Sequence, residues 1–446
     1  MSFSLAATVL TRKKNYDYSP TRFHRTALSA ASETFSNISL TSLQGTLLLA
    51  VQALVEPASV NVWTLTHIAM SHCIDLGLHR EPRDTESSKA TTTILRFVFY
   101  TVYSLDRSIS TIQGRPLGIR DETFDIRPPD NADIPEMAGI PDHDTTIQLP
   151  SSEFLALSIL RFHLDRQVSE IKLLLYHLPT RNQSFVWPTD YVEIQRRINA
   201  ELDQWLVQVQ EISASEFTDD DEKTKLRFEK MRHEQLYHSA ITLLFQPSQM
   251  FPSPSQNALS ICYQSCSRRL QIYDIVSTKD MLYYNWRNIH GIFSSGSTIV
   301  YCAWVSRDLQ RTIPFAKLLR DLRICSNHLS IGSQWWPSVR SGKESFEMMI
   351  DLIIKYFSEL QLQDNALPPH RRLRIGIEKD ISEGRDTPSH HTCNTQNSGP
   401  PLSMTQNIYY EQVPTQTPNF EGRNMSFMTG EPSILHPAQQ ILEIYY

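Results

Sequence analysis

The sequence of 446 residues is poor in the features that mark several large protein classes. It has only 14 glycines, and β-branched residues rarely alternate with polar ones as they do in half-buried strands. No run of about 18 apolar residues occurs, so we expect no membrane span. The six cysteines form no Cys-x-x-Cys pair and imply no disulfide framework. We therefore predict an all-α fold in which the cysteines are small core residues.

A surplus of basic residues is also missing. The chain has 42 Lys and Arg against 48 Asp and Glu, a formal net charge of −6. This is the wrong sign for a domain that neutralises phosphates over a broad surface, so we expect the chain as written to bind DNA poorly. Short basic groups at 12–14 and 371–374 resemble nuclear-import signals, although such groups are more often plain surface.

A helical pattern in the first quarter of the chain ends in a clear stop signal. From Trp63 to Gly77, apolar or small residues recur with a helical period. Gly77 supplies the left-handed residue that ends the helix, and Leu78 is expected to fold back onto the last turn. We expect the side chains of His79 and Arg80 to meet the free carbonyl groups of that turn.

The next helix is apolar on nearly all sides, which predicts a buried central helix that ends at Gly114. Asp106 lies within it, and a buried carboxylate is costly unless it is paired. Arg96, Arg107 and Arg115 are the candidate partners. We favour Arg115, because the turn at Gly114 can bring its guanidinium back along the helix. A structural ion pair is favoured over a ligand-binding or catalytic role.

The order of these motifs resembles the middle homology region of fungal zinc-cluster transcription factors. The residues that carry the resemblance are Trp63, then Asp75-Leu76-Gly77-Leu78-His79-Arg80, then Arg96 and Asp106-Arg107, then Gly114-Arg115-Pro116, and finally Asp125 with Pro128-Pro129-Asp130. We call residues 58–133 the signature. Weaker similarities at 236–248, 292–304 and 329–346 extend the resemblance over about residues 35–356.

The resemblance implies a helical regulatory region, without enzymatic activity, of a nuclear regulator of RNA polymerase II genes. A metabolic or secondary-metabolite gene set is the family-level expectation. In this family a separate zinc binuclear cluster contacts DNA, so zinc and DNA are expected only through a cluster that these residues lack. Either the gene model starts late or the protein is a member without its cluster. Coregulator proteins, a small-molecule effector and a second copy of the chain are the expected partners.

The domain organisation follows from composition and the resemblance together. We predict truncated N-terminal helices of the regulatory region at 1–35, the middle homology domain at 36–360, and an acidic linker at 213–225. Residues 361–446 are predicted to be a mostly disordered tail. Its last segment, 434–446, regains apolar residues beside Glu443 and resembles an activation segment, although a terminal helix that docks on the body is an equal alternative.

Other readings stay open. The proline-rich residues 120–150 predict a loop that covers the signature, and a helical enzyme with a site under this loop would use Asp106, His79 and Arg115. The missing nucleophile, metal ligands and phosphate loop count against that enzyme. The third hypothesis is a ligand-binding or scaffold protein that never carried a zinc cluster.

Three motif-like stretches are predicted to hold no site. Residues 291–298 have the glycine spacing of a phosphate loop but no lysine. His233 and His238 stand five apart on a helix and so diverge. Cys262 and Cys266 face the same way without a second pair, which favours two core thiols.

Overall fold

The computed structural model is helical, as the sequence predicts, and no strand occurs in the part of the chain that it describes. It describes residues 1–13, 19–29, 31–56, 61–82, 89–134, 151–177, 187–214, 217 and 219–366, apart from the side chains of 33–34 and 360–366. Residues 361–366, predicted as the start of the disordered tail, are helical instead. The rest of the predicted tail, its terminal segment, and the loop residues 135–150 lie outside these ranges.

The helices follow one another in the order α1 (Ser2–Arg12), α2 (Pro20–Ser29), α3 (Ala31–Thr34), α4 (Leu40–Val55), α5 (Val62–Asp75), α6 (Lys89–Ile112), α7 (Ser152–Leu175), α8 (Tyr191–Glu211), α9 (Asp220–Phe245), α10 (Gln256–Thr278), α11 (Trp286–Val305), α12 (Arg307–Thr312), α13 (Phe315–Gly332) and α14 (Pro337–Ala366). A 3-10 helix covers Asp121–Thr123. The chain divides into two compact units, one comprising Met1–Cys302 and the other starting at Ala303. None of the described helices combines the length and apolar character that crossing a bilayer requires.

The first core of unit 1 is centred on α6. Helices α5 and α7 pack against α6, and α4 packs against α5. From Phe97 to Arg107 every residue of α6 is buried, which confirms the predicted central helix. Helix α4 begins at a capping box formed by Ser39 and Ser42, and its apolar residues Leu43, Leu47, Val51 and Leu54 are buried.

The second core of unit 1 lies between α7, α8 and α9. Trp205 of α8 donates its indole N–H to the carbonyl oxygen of Leu160 at 2.7 Å. The ring of His233 lies between the carbonyl oxygens of Glu229 and Leu157, at 2.9 and 3.0 Å. Burial lowers the pKa of His233 to about 3, while the hydrogen bond to the Leu157 carbonyl raises it, and the ring is a buried part of this core.

The predicted acidic linker is wrong for its second half. Asp219 is the N-cap of α9 and accepts a hydrogen bond from the N–H of Asp221 at 3.0 Å, so residues 220–225 are helical. Phe217 is buried immediately before this cap. Acidic side chains are favourable in a first helical turn because they face the positive end of the helix dipole. The acidic run therefore marks a helix start.

The start of α7 also differs from a simple serine cap. Ser151 occupies the N-cap position, but its hydroxyl makes no capping hydrogen bond. The hydroxyl of Ser152 donates instead to the Glu153 carboxylate at 3.1 Å. The acidic residue in the first turn is therefore the polar group that favours this helix end.

Helices α10 and α11 contain two of the motif-like stretches that are predicted to hold no site, the cysteine pair 262 and 266 and residues 291–298. Cys262 and Cys266 are buried against Thr242 of α9, and the free thiols of Cys73, Cys302 and Cys325 are buried as well, as predicted. Gly291 lies inside α11, where an added Cβ would come within 2.5 Å of the Tyr273 hydroxyl of α10. The glycine therefore permits close helix packing.

The basic residues Arg12 and Lys13 make polar contacts with other residues of unit 1. Arg12 donates to the carbonyl oxygens of Val55 at 2.7 Å and Tyr284 at 3.1 Å. Lys13 pairs with Asp280 at 3.2 Å. These bonds attach the end of α1 to the end of α4 and to residues 280–284, which follow α10.

Unit 2 contains α12, α13 and α14. Trp304 stacks on Tyr356 with ring centres 4.8 Å apart, and Phe315 stacks on Phe357 at 5.7 Å. Helices α13 and α14 pack together, with Phe346 of α14 fully buried.

Candidate functional site

Helix α5 ends as the sequence predicts. Gly77 has a φ of 72°, and the N–H of Leu78 donates to the Cys73 carbonyl at 2.9 Å. The N–H of Gly77 donates to the carbonyl of Ile74 at 3.0 Å. This pair of bonds is a Schellman motif, and Leu78 is buried, which confirms the predicted fold-back onto the last turn.

The side chains of His79 and Arg80 do not cap this helix, which corrects the prediction. Arg80 lies 3.7 Å from Asp125, across the loop. The carbonyl of His79 accepts the backbone N–H groups of Asp125 and Ile126 at 3.2 and 3.4 Å. The N–H groups of the Schellman motif already bind the carbonyls of Cys73 and Ile74. His79 and Arg80 therefore connect the helix end to residues 125–126.

Helix α6 ends with the same motif. Gly114 has a φ of 62°, and the N–H of Arg115 donates to the Ser110 carbonyl at 2.9 Å. The Nζ of Lys172, from α7, donates to the carbonyls of Ser110 and Arg115 at 3.2 and 2.8 Å. Burial lowers the pKa of Lys172 to about 8, while the charge of Asp106 raises it. A largely buried lysine thus covers the negative end of the α6 dipole.

Asp106 pairs with Arg107, and the predicted pairing with Arg115 is wrong. The Nη1 of Arg107 lies 2.6 Å from the Asp106 Oδ2, and both side chains are fully buried. The same carboxylate accepts the N–H of Gly118 at 3.0 Å and the hydroxyl of Ser110 at 3.2 Å. Adjacent residues on a helix normally diverge. Here the loop after α6 folds over both side chains and makes their pairing possible.

Arg107 is the centre of what we call the central network, formed by Tyr103, Asp106, Arg107, Asp121 and Ser169. Its Nη2 lies 2.6 Å from Asp121 and 2.8 Å from the Ile119 carbonyl. Its Nε donates to the Ser169 hydroxyl at 2.7 Å, and its guanidinium lies 3.6 Å from the centre of the Tyr103 ring. The planar guanidinium is thus bound along its edge and on its face.

Charges inside the central network compensate the burial. Burial disfavours the charged form of Arg107, but the carboxylates of Asp106 and Asp121 favour it, and its pKa lies above the ordinary value. Burial raises the pKa of Tyr103, whose hydroxyl donates to the Asp121 carboxylate at 2.9 Å. Two carboxylates therefore balance one buried guanidinium, and the phenol stays neutral.

Arg115 packs on an aromatic pair of α5 instead of on Asp106. Its guanidinium lies 4.7 Å from the centre of the Trp63 ring, and that ring contacts His67 with centres 4.0 Å apart. The Nε2 of His67 lies 3.9 Å from Asp106. Arg115 thus makes a cation–π contact that fastens the turn after α6 to α5.

A second group, which we call the Arg96 cluster, comprises Glu81, Arg96, Arg127 and Asp133. Arg96 pairs with Glu81 and, at 3.2 Å, with Asp133. Arg127 reaches both oxygens of Asp133 at 2.7 and 2.8 Å. Burial pushes the pKa of Asp133 up, but the hydrogen bonds and charges around it, chiefly from Arg127, leave that pKa lower than usual.

The remaining predicted residues are less engaged. Asp75, the last residue of α5, is exposed, and so is Pro116 after the α6 turn.

The enzyme hypothesis requires Asp106, His79 and Arg115 to act on one substrate. The structure instead places Asp106 in the central network, Arg115 on Trp63, and His79 beside residues 125–126.

Several residues of both groups were not predicted, chiefly Asp121, Ser169, Arg127 and Asp133, and neither was Lys172 at the end of α6. Ser169 and Lys172 lie on α7, far along the chain, and no local pattern connects them with α6. A usable signal existed for Arg107. It stands four residues after Tyr103, a spacing that places an aromatic ring and a guanidinium together on one helix. Among the described residues, no group of three or more His, Cys, Asp or Glu is arranged to hold a metal ion.

Comparison with known proteins agrees with these motifs. Residues 1–207 match the fungal specific transcription factor domain. This part of the chain is similar to that domain family. The matched region contains α1 to α7 and most of α8, together with the central network and the Arg96 cluster. No solved structure matches the chain at a significant level.

Three relatives illustrate the match. Pyrimidine pathway regulatory protein 1 of Saccharomyces cerevisiae is 25% identical over 283 residues, which cover 60% of this chain and 29% of the relative. Protein STB5 of the same yeast is 24% identical over 57% of this chain and 34% of its own length. Positive regulator of purine utilization of Emericella nidulans is 29% identical over 27% of this chain and 15% of its own length. The chain thus spans about a third or less of these proteins.

Proposed function

We propose that this chain is the helical regulatory region of a fungal transcription regulator that acts in the nucleus and has no enzymatic activity. The match of residues 1–207 to the fungal specific transcription factor domain carries this proposal. The relatives named above as regulators support it. DNA contact is proposed to come from a zinc cluster outside these residues, and coregulator proteins, a small effector and a second copy of the chain are the proposed partners.

The geometry of the signature supports a structural task for its residues. The central network connects α6 to α7 and to residues 118–121, and the Arg96 cluster connects α6 to residues 81 and 127–133. Each charged group in these clusters has an opposite charge at close range. Such paired groups hold elements together, which supports a structural role for these residues.

We further propose the domain organisation and a class of target genes. Residues 36–360 form the regulatory region, with 1–35 as its first helices, and 361–446 form a tail that carries an activation segment at 434–446. Two relatives are named for pyrimidine and purine metabolism. A metabolic gene set is therefore the proposed target. Transcript profiling of a deletion strain tests this last point, and unchanged metabolic transcripts would argue against it.

A tethering experiment tests the regulatory function. The full chain is fused to an unrelated DNA-binding domain, and expression of a reporter gene with that domain's sites is compared with expression from the DNA-binding domain alone. We expect a several-fold change, in either direction. A reporter level equal to that of the DNA-binding domain alone would contradict the proposal. A fluorescent fusion of the full chain checks the nuclear location.

A further inference from the structure

Helix α1 has apolar residues on a side that its packing against α2 and α4 leaves largely exposed. Ser4, Leu5, Ala7 and Thr8 are buried, and α1 packs against α4. Phe3, Ala6 and Leu10 are exposed, Phe3 to 77% and Leu10 to 40%. These three positions share one side of the helix. Phe3 also stacks on Phe23 of α2, with ring centres 6.2 Å apart. We call Phe3, Ala6, Leu10 and Phe23 the N-terminal stripe.

A basic edge adjoins this stripe. Arg22 and Arg25 of α2 line an open cleft of about 500 Å³ together with three hydroxyl side chains. Neither α1 nor α2 contains an acidic residue, and no residue of α2 is buried. Arg22 and Arg25 are exposed and stand within two residues of Phe23 on the same helix. A partner that fits both must combine an apolar side with negative charge.

One segment beyond the described residues has this combination. After Arg423 the sequence contains no Lys or Arg, and Glu431 and Glu443 are its acidic residues. In the last nine residues, Ala438, Ile441, Leu442 and Tyr445 recur at helical spacing. The basic residues at 371–374 have the same sign of charge as α2, which disfavours that part of the tail as the partner.

We propose that residues 431–446 dock on the N-terminal stripe of their own chain. Their apolar side covers Phe3 and Leu10, and their glutamates lie beside Arg22 and Arg25. The apolar contact supplies most of the affinity, and the opposite charges set the orientation. The docked segment includes residues 434–446, proposed above as an activation segment, but the docking proposal rests on binding between two parts of one chain and not on transcriptional activity.

The test uses the full chain and a labelled peptide of residues 431–446. In wild type the attached segment competes at high effective concentration, so the peptide is expected to bind weakly. In a full chain that carries Ile441→Ser, Leu442→Ser and Tyr445→Ser, the stripe is free. We expect the peptide to bind this variant with one-to-one stoichiometry and at least tenfold more tightly. Equal affinities for the two chains would overturn the proposal.

Two substitutions in the tail variant locate the binding surface. Phe3→Glu is expected to reduce peptide affinity at least tenfold, because it places a charge in the apolar contact. Val192→Glu is the matched control, since Val192 is also an exposed apolar residue, 65% exposed on α8. Thermal unfolding verifies that both variants are folded. Unchanged affinity in the folded Phe3→Glu variant would place the peptide elsewhere and refute the docking surface.

Charge reversal tests the basic edge. Arg22→Glu with Arg25→Glu is expected to weaken binding at least fivefold, and a peptide with Glu431→Lys and Glu443→Lys is expected to restore it. Lys225→Glu with Arg227→Glu, both exposed on α9, is the control pair. A peptide of residues 403–418, also acidic and apolar but interrupted by Pro414, is the control for sequence. Equal binding of that peptide would show nonspecific attraction and overturn the proposal.

Self-association is the competing outcome. If the stripe pairs two copies of the chain, the tail variant forms dimers in sedimentation, Phe3→Glu abolishes them, and the peptide does not bind. That result would replace the proposal. A monomeric tail variant that binds the peptide supports it.

Discussion

Arg107 shows how a buried charge is kept in a helical core. Its guanidinium meets two carboxylates, a serine hydroxyl, a backbone carbonyl and an aromatic ring. A lysine has one charged centre and cannot reach all of these positions. The cost of burying the guanidinium is therefore offset only by this complete set of partners, and removing any one of them leaves a group unpaired.

A double-mutant cycle tests the corrected pairing. Asp106→Asn and Arg107→Leu are each expected to lower the free energy of unfolding by about 3–5 kcal/mol, because the first leaves Arg107 with Asp121 as its remaining carboxylate and the second leaves the buried Asp106 without its guanidinium. The double variant should lose clearly less than the sum, as measured by urea denaturation. Arg115→Leu is the control. It removes only the contact with Trp63, so it should cost about 1 kcal/mol and add to Asp106→Asn. Coupling of Asp106 to Arg115 instead would restore the original prediction.

The Arg96 cluster has a pH signature. The folded pKa of Asp133 lies below its unfolded value, so its pairing contributes stability that is fully present above pH 3.8 and is lost as pH falls through the folded pKa. Asp133→Asn should therefore destabilise the protein at pH 6, and the difference from wild type should shrink toward pH 3. Thermal unfolding across this range provides the measurement. A difference that stays constant with pH would mean that the charge of Asp133 is unimportant.

At the scale of elements, helices α5 and α6 of the signature both end in a Schellman motif. Glycine is needed at Gly77, Gly114 and Gly118 for two different physical reasons. Gly77 and Gly114 adopt positive φ, and an added Cβ would meet nothing within 4 Å. Gly118 has an ordinary conformation, but a Cβ there would lie 3.1 Å from the Asp106 carboxylate and 3.3 Å from the His67 ring. Gly77 and Gly114 allow a backbone conformation with positive φ, and Gly118 allows the chain to approach the buried Asp106 carboxylate closely.

This difference can be measured with Gly114→Ala and Gly118→Ala. The first should cost about 1 kcal/mol through the backbone alone and be independent of Asp106→Asn. The second should disturb the contact between the Gly118 N–H and Asp106, so its effect should be smaller in the Asp106→Asn background than in wild type. Urea denaturation of the two singles and the two doubles decides. Additive effects for Gly118→Ala would show that the close contact is tolerated.

For the whole molecule, net charge is the dominant electrostatic property. With a formal charge of −6, the purified chain is expected to bind duplex DNA only weakly, with an affinity that falls steeply as salt increases. Titrations of the chain with DNA duplexes of defined length, at 50 and 150 mM salt, measure this affinity and its salt dependence. Sequence-specific binding at submicromolar concentration in physiological salt would reveal a DNA-binding surface within these residues.

The sequence alone determined the helices, their glycine stops and the centrality of α6, because these depend on local periodicity and on φ preferences of single residues. It also placed Asp106 inside the core and carried the family resemblance. The choice among Arg96, Arg107 and Arg115 was decided only by tertiary structure. Burial of α6 on every side and the path of residues 118–121 determine which guanidinium reaches the carboxylate, and neither follows from spacing. Ser169 and Lys172 enter the site from α7 because packing of α7 on α6 brings together residues about 60 positions apart in the chain.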